Sequence, residues 1–226
     1  MVKLIVLADA AAAARRAGEL LAEAATAGGH IALSGGKSPE LAHRSAAELQ
    51  PDWSHAEVWW GDERCVPPDD DESNFAMAKR TLLDELKTPP AAVHRIRGEA
   101  DPEEAAREYD AALQGVRLRL NLLGVGPDGH TASLFPHAPG LHERERLAIA
   151  AEPGLDPKVR RVTMTPPMLE NADVVLFLVT GADKAQAAAL AFGGPESVAT
   201  PASMIRSAGG RTIAVLDEAA AALVER

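Results

Sequence analysis

An aspartate two residues ahead of a histidine, Asp128-Gly129-His130, is the sharpest chemical arrangement in this sequence. Its carboxylate can accept from one ring nitrogen, fix the tautomer and leave the other nitrogen as a base. The pair lies in Gly124-Val125-Gly126-Pro127-Asp128-Gly129-His130-Thr131-Ala132-Ser133-Leu134-Phe135, where Gly124, Gly126 and Gly129 also match G-x-G-x-x-G. That dinucleotide fingerprint is a decoy here. It falls past mid-chain, Pro127 stiffens the turn, and no acidic residue closes a strand about 20 positions on. A histidine held in a glycine turn for structure alone is the bland alternative.

Two further loops carry groups that could serve such a base. In Ser34-Gly35-Gly36-Lys37-Ser38-Pro39, paired glycines let the backbone approach an anion, and the helix start behind them offers unpaired N–H groups. It is not a P-loop, because the first glycine of G-x-x-x-x-G-K-[ST] would fall at Ile31. Trp60-Gly61-Asp62-Glu63-Arg64 sets three charges directly after an apolar strand. Arg64 could fork onto phosphate or onto a developing oxyanion, or could pair with Asp62 or Glu63 at the surface. Beside it, Cys65 could have its pKa lowered by the arginine, yet no histidine shares the loop and a cysteine nucleophile is not expected. Lys158, Arg160, Arg161 and Lys184 are further cations able to complete an anion pocket. There is no G-x-S-x-G elbow and no H-E-x-x-H helix. The seven histidines (His30, His43, His55, His94, His130, His137, His142) form no spaced set with cysteine, so no metal site is expected.

The elements that must position these loops alternate along the chain. Strands are expected at Lys3–Ala8, Ile31–Leu33, Glu57–Trp60, Val93–Ile96, Leu118–Val125, Leu147–Ala151, Arg161–Met164, Val174–Thr180 and Thr212–Leu216. Helices are expected over Ala10–Ala27, closed by Gly28-Gly29, and from Ser38 as N-cap with Pro39 at its first turn to Leu49. Others follow over Ser73 to about Leu86, Pro102–Leu113 and from Ala182. Such alternation, with continuous apolar runs like Val174–Val179, reads as an α/β fold: a mostly parallel sheet with helices on both faces. In such sheets ligands bind where strands end at their carboxyl side, which is where all three loops fall.

The chain has 226 residues, 46% apolar and 25% charged, enough for a sizeable core. Aromatics at 4% imply an aliphatic core of Ala, Val and Leu. No apolar run approaches the ~20 residues of a membrane span, and no signal peptide is expected. The lone Cys65 fits a reducing cytosol. A net charge of −10 argues against nucleic acid or an anionic membrane as partner.

Five stretches together resemble the 6-phosphogluconolactonase family: Leu33–Pro39 (LSGGKSP), Trp60–Asn74 (WGDERCVPPDDDESN), Asn121–Pro136 (NLLGVGPDGHTASLFP), Arg161–Thr165 (RVTMT) and Gly181–Lys184. The resemblance implies one domain over residues 1–226. Its fold would be the Rossmann-like one shared with glucosamine-6-phosphate deaminase and ribose-5-phosphate isomerase. It implies hydrolysis of 6-phospho-D-glucono-1,5-lactone to 6-phospho-D-gluconate in the oxidative pentose phosphate pathway, without metal or cofactor. On these positions His130 would activate water with Asp128 orienting it. Ser34, Gly35 and Gly36 would cradle the phosphate with Arg64, Arg160 and Lys184, unless Arg64 serves the carbonyl oxygen instead. Thr163 would touch a substrate hydroxyl. Position 37, often small in the family, is Lys here. The implied setting is a cytoplasmic monomer or weak homodimer, acting on a phosphorylated sugar lactone, with no nucleic-acid or membrane partner. The related deaminases follow the histidine with an acidic Asn-Glu-Pro stretch, whereas Thr131–Pro136 carries no carboxylate. A sugar-phosphate sensor would be expected to follow a basic helix-turn-helix, and none precedes residue 30.

Overall fold

Residues 2–225 are described by a computed structural model. The strands are β1 (Val2–Leu7), β2 (Gly29–Leu33), β3 (Ala56–Trp60), β4 (Asp62–Arg64), β5 (Ala92–Val93), β6 (Leu118–Leu123), β7 (Ala148–Ala151), β8 (Arg161–Met164), β9 (Ala172–Val179) and β10 (Arg211–Asp217). The helices are α1 (Ala10–Ala27), α2 (Lys37–Leu49), α3 (Asn74–Thr81), α4 (Pro102–Ala112), α5 (Pro166–Glu170) and α6 (Ala185–Gly193).

Seven strands form one parallel sheet in the order β1-β10-β9-β6-β2-β3-β5. From β2 the chain moves outward through β3 to β5, then returns to β6 and builds in the other direction through β9 and β10. The order therefore reverses between β2 and β6, and a crevice opens at their carboxyl ends, the position at which doubly wound sheets take ligands.

The expected strands over 147–151 and 161–164 do form, but outside that sheet. β8 pairs antiparallel with β7 and with β4, a three-residue strand made from the charged triplet read above as a loop. Short strands carrying Asp, Glu and Arg give little apolar periodicity, so the second sheet was not legible from pattern alone.

Local chemistry sets the ends of the elements. Asp9 caps α1 by accepting from Ala12 N at 2.8 Å, and Gly28, at φ 76°, closes it with its N–H on Ala24 O and Ala25 O. Asp101 accepts from the N–H groups of Glu103 and Glu104 to start α4, with Pro102 at its first position. Two expectations are corrected. The helix from Ser73 stops at Thr81, because Leu82 leaves helical geometry to enter the core, and a 3₁₀ turn over Leu83–Glu85 follows. The strand at Val93 ends there too, and His94 stacks on Trp59 with ring centroids 3.8 Å apart.

The core is largely Ala, Leu and Val, as the composition implied, but its largest fully buried side chains include Trp53, Trp59 and Trp60. Small residues let layers approach: a Cβ on Gly18 of α1 would collide with Ser45 of α2. Tyr109 of α4, buried, accepts from Trp60 N and donates to Trp60 O, both at 2.9 Å, and so fixes the end of β3 from which the charged triplet departs.

Candidate functional site

A cleft of about 490 Å³ lies at the carboxyl ends of β2, β6 and β9, walled on one side by β4 and β8. Four cations face it, Lys37, Arg64, Arg161 and Lys184, against two carboxylates, Asp62 and Asp183. In a chain of net charge −10, this is a local reversal of sign that suits a small anionic ligand.

The loop from β2 into α2 builds one end. Gly36, at φ 105°, stands as N-cap with no side-chain hydrogen bond, and the helix begins at Lys37, one residue before the expected cap. Ser38 is therefore inside the helix, and its hydroxyl meets that of Thr180, 2.6 Å away. The first N–H groups of α2 thus have no side chain competing for them, and the macrodipole adds positive potential there. The contact to Thr180 ties this loop to the one after β9. There Gly181 donates to the buried Asp217 carboxylate at 3.0 and 3.1 Å, and Lys184 reaches the cleft with Asp183 3.4 Å away.

The loop after β6 builds the other end. Gly126 donates to His130 O and Gly129 to Gly126 O, each at 2.9 Å, and Thr131 Oγ1 donates to Gly124 O. The turn is so tight that a Cβ on Gly126 would occupy the place of the His130 ring. Asp128 Oδ1 lies 2.5 Å from His130 Nδ1 and also accepts from His130 N at 3.1 Å. Burial pushes the Asp128 carboxyl up, but the hydrogen bonds and charge of His130 outweigh it and hold it below the ordinary value. With Nδ1 engaged by a carboxylate, Nε2 is the nitrogen available to a reacting water. The Phe135 ring packs 4.8 Å from the imidazole, and the Arg161 guanidinium lies 5.8 Å over the same ring.

The wall between these ends starts from Glu63. Its buried carboxylate accepts from Arg64 N, Asn74 N, Phe75 N and Ser73 Oγ at 2.7–3.0 Å, which anchors the start of α3 to β4; burial nonetheless raises its pKa. Asp62 accepts from Ser133 Oγ at 2.6 Å, and the Asn74 amide donates to Asp62 O at 2.8 Å. Arg64 and Arg161 are cross-strand partners, so their side chains share a face. Arg64 is steadied by Glu72 O at 2.6 Å, and Arg161 is 5% exposed, its charge disfavoured by burial.

The structure thus gathers Ser34, Gly35, Gly36, Arg64, His130 and Lys184 around one cleft, with Asp128 behind the imidazole. Two expected residues stand elsewhere. Arg160 precedes β8 and pairs with Glu103 at 2.7 Å and Glu152 at 3.1 Å, while its neighbour Arg161 faces the cleft. Thr163 is fully buried beneath the site, where its hydroxyl accepts from Ser133 N and donates to Met164 O. Arg64 does not lower the Cys65 thiol: burial pushes it up to about 11, outweighing the opposing charges of Arg160 and Arg161. Sequence reasoning did not single out Asn74, and could not choose Arg161 over Arg160. The signal for Arg161 is its place as the first residue of a strand paired to Arg64, which needs β4 to be recognised first. Among the described residues, no group of three or more His, Cys, Asp or Glu is placed to hold a metal ion, and no helix is long and apolar enough to cross a membrane.

A family profile described as glucosamine-6-phosphate isomerases/6-phosphogluconolactonase matches residues 6–214. The chain is similar to the 6-phosphogluconolactonase of Mycobacterium tuberculosis, at 38% identity covering 94% of this chain and 92% of that one. It is also similar to the 6-phosphogluconolactonase of Haemophilus influenzae, at 36% identity over 86% and 87% of the two chains. Among solved structures, 6-phosphogluconolactonase from Trypanosoma brucei superposes with a TM-score of 0.88 at 25% identity, covering 98% of each chain. A monomeric glucosamine-6-phosphate deaminase shares the fold at a TM-score of 0.86 and 19% identity, covering 98% of this chain and 100% of that one.

Proposed function

The chain belongs to the family of glucosamine-6-phosphate isomerases and 6-phosphogluconolactonases, and from that premise we propose how its cleft hydrolyses 6-phosphoglucono-1,5-lactone to 6-phosphogluconate. The observation that carries the reading is the Asp128–His130 pair at the mouth of a cationic cleft.

The phosphate sits at the start of α2, on the backbone N–H groups that follow Gly36, with Lys184 as its counter-charge. Holding the substrate by this remote group sets C1 against His130 and removes orientational freedom before reaction. His130 Nε2 takes a proton from water as its oxygen attacks C1. Asp128 stabilises the imidazolium that forms, so the proton is carried by an oriented ring. The tetrahedral oxyanion develops beside Arg64 and Arg161, which serve the carbonyl oxygen rather than the phosphate in this arrangement. Collapse breaks the bond from C1 to the ring oxygen, and the imidazolium returns its proton to that oxygen as it leaves. The products are a free hydroxyl on the opened chain and a carboxylic acid, which releases the second proton of the water to solvent and becomes a carboxylate.

The lone, half-buried Cys65 and the net charge of −10 support the wider reading. It is a cytoplasmic enzyme, monomeric or weakly dimeric, with no nucleic-acid or membrane partner and no cofactor. The test is hydrolysis of freshly generated 6-phosphoglucono-1,5-lactone, followed by proton release against the spontaneous rate. The expected result is acceleration by the protein, with no ammonia released from glucosamine 6-phosphate. No acceleration above background overturns the reading.

A further inference from the structure

We infer that Asn74 is a specificity-determining substrate contact whose side-chain carbonyl oxygen accepts a hydrogen bond from one ring hydroxyl of the sugar lactone. This rests on the hydrolase reading above and adds to it a residue that discriminates among sugar phosphates.

Asn74, the first residue of α3, is 2% exposed yet forms part of the cleft wall. Its amide Nδ2 donates to Asp62 O at 2.8 Å and lies 3.3 Å from Asp62 Oδ1. Both are acceptors, so the NH₂ group must face them, and turning the amide over would set oxygen against oxygen. The orientation is therefore fixed by chemistry. The main chain that carries it is fixed as well, because its own N–H and that of Phe75 are held by the two oxygens of Glu63.

That leaves Oδ1 on the opposite side, against Gly35 of the phosphate loop, where a Cβ would occupy the same space. Oδ1 is buried and has no hydrogen-bond partner among the described residues. A buried carbonyl oxygen without a donor is unfavourable and rare, and calls for an explanation at a functional site. Only a donor can satisfy it. A phosphate or an oxyanion would be repelled, so the cations of the cleft and this oxygen must serve different parts of one ligand. The location agrees. Asn74 touches Gly35 at the phosphate end and Asp62, which accepts from Ser133 three residues beyond the base. The body of a ring held at both ends passes this wall, and the donors it carries are the hydroxyls at C2, C3 and C4.

The test is a substrate–variant cycle. Wild type and Asn74→Ala are each assayed with the parent lactone and with its 2-, 3- and 4-deoxy counterparts. For wild type, one deoxy lactone is expected to lose about tenfold or more in kcat/KM. For Asn74→Ala, that same lactone should lose nothing further against the parent, while the other two lose as they do in wild type. Equal losses on both enzymes for every deoxy lactone, or no sensitive hydroxyl in wild type, would overturn the inference. A second measurement needs no variant: a crystal structure of wild type with 1,5-anhydroglucitol 6-phosphate, a stable ring analogue. A sugar hydroxyl within about 3.2 Å of Asn74 Oδ1 is expected, and an analogue bound with only water there overturns the inference. Hydrolysis of the parent lactone by wild type is read in the same assay. Its absence would instead defeat the hydrolase reading.

Discussion

The loops after β2 and β6 leave hydrogen-bonded neighbouring strands on the same side of the sheet, and both are rich in glycine, yet they are built on opposite plans. The first is open. It bonds little within itself, hands over to a thirteen-residue helix with an uncapped start, and offers backbone N–H groups. The second is closed on itself by hydrogen bonds among its own residues, is followed by no α-helix before β7, and holds Ala132 at φ 48°, a conformation that costs a non-glycine residue energy. Their glycines differ accordingly. Gly35 makes room for a side chain from another element, Asn74, whereas Gly126 makes room for a histidine of its own loop. The difference teaches that glycine at one loop admits a side chain of the wall, and at the other serves the aim of a single imidazole.

The two glycines give the largest effects with which to break that comparison. In Gly126→Ala the new Cβ displaces the His130 ring, and kcat is expected to fall by about 10²-fold or more with KM for the lactone little changed. In Gly35→Ala the collision is with Asn74 at the phosphate end. KM should rise by about tenfold with a smaller change in kcat. Steady-state kinetics on both variants decides the matter, and the same kcat-to-KM pattern in the two would erase the distinction.

A smaller effect sharpens the account of the second loop. The Asp128 carboxyl is held below its ordinary value in the folded state, so it contributes stability above the ordinary aspartate range, about pH 4. That contribution is lost as pH falls through the depressed folded value. Asp128→Asn should therefore be less stable than wild type at pH 7, with the gap closing below about pH 4 in denaturant melts. A gap that stays constant with pH would separate Asp128 from the charge of His130.

Much of this was legible in the sequence, for identifiable reasons. The buried parallel strands are continuous apolar runs, and glycine and proline mark the loops at their ends, so the α/β class and the three site loops followed from pattern. The Asp128–His130 pairing followed from a two-residue spacing, because the contact is local. The second sheet did not, since β4 is three charged residues whose partner lies about a hundred positions away. Without that pairing, pattern alone does not set Arg161 apart from Arg160, nor place Thr163 beneath Ser133. Asn74 was hidden for the same reason: its role depends on a contact with Gly35 that no local spacing reports.

The most direct test of the division between a binding end and a reacting end is His130→Ala, measured for lactone hydrolysis and for affinity toward 1,5-anhydroglucitol 6-phosphate in one preparation. The account expects hydrolysis to drop by about 10²–10⁴-fold while the analogue binds as it does to wild type. Turnover at the wild-type rate in that variant would contradict it.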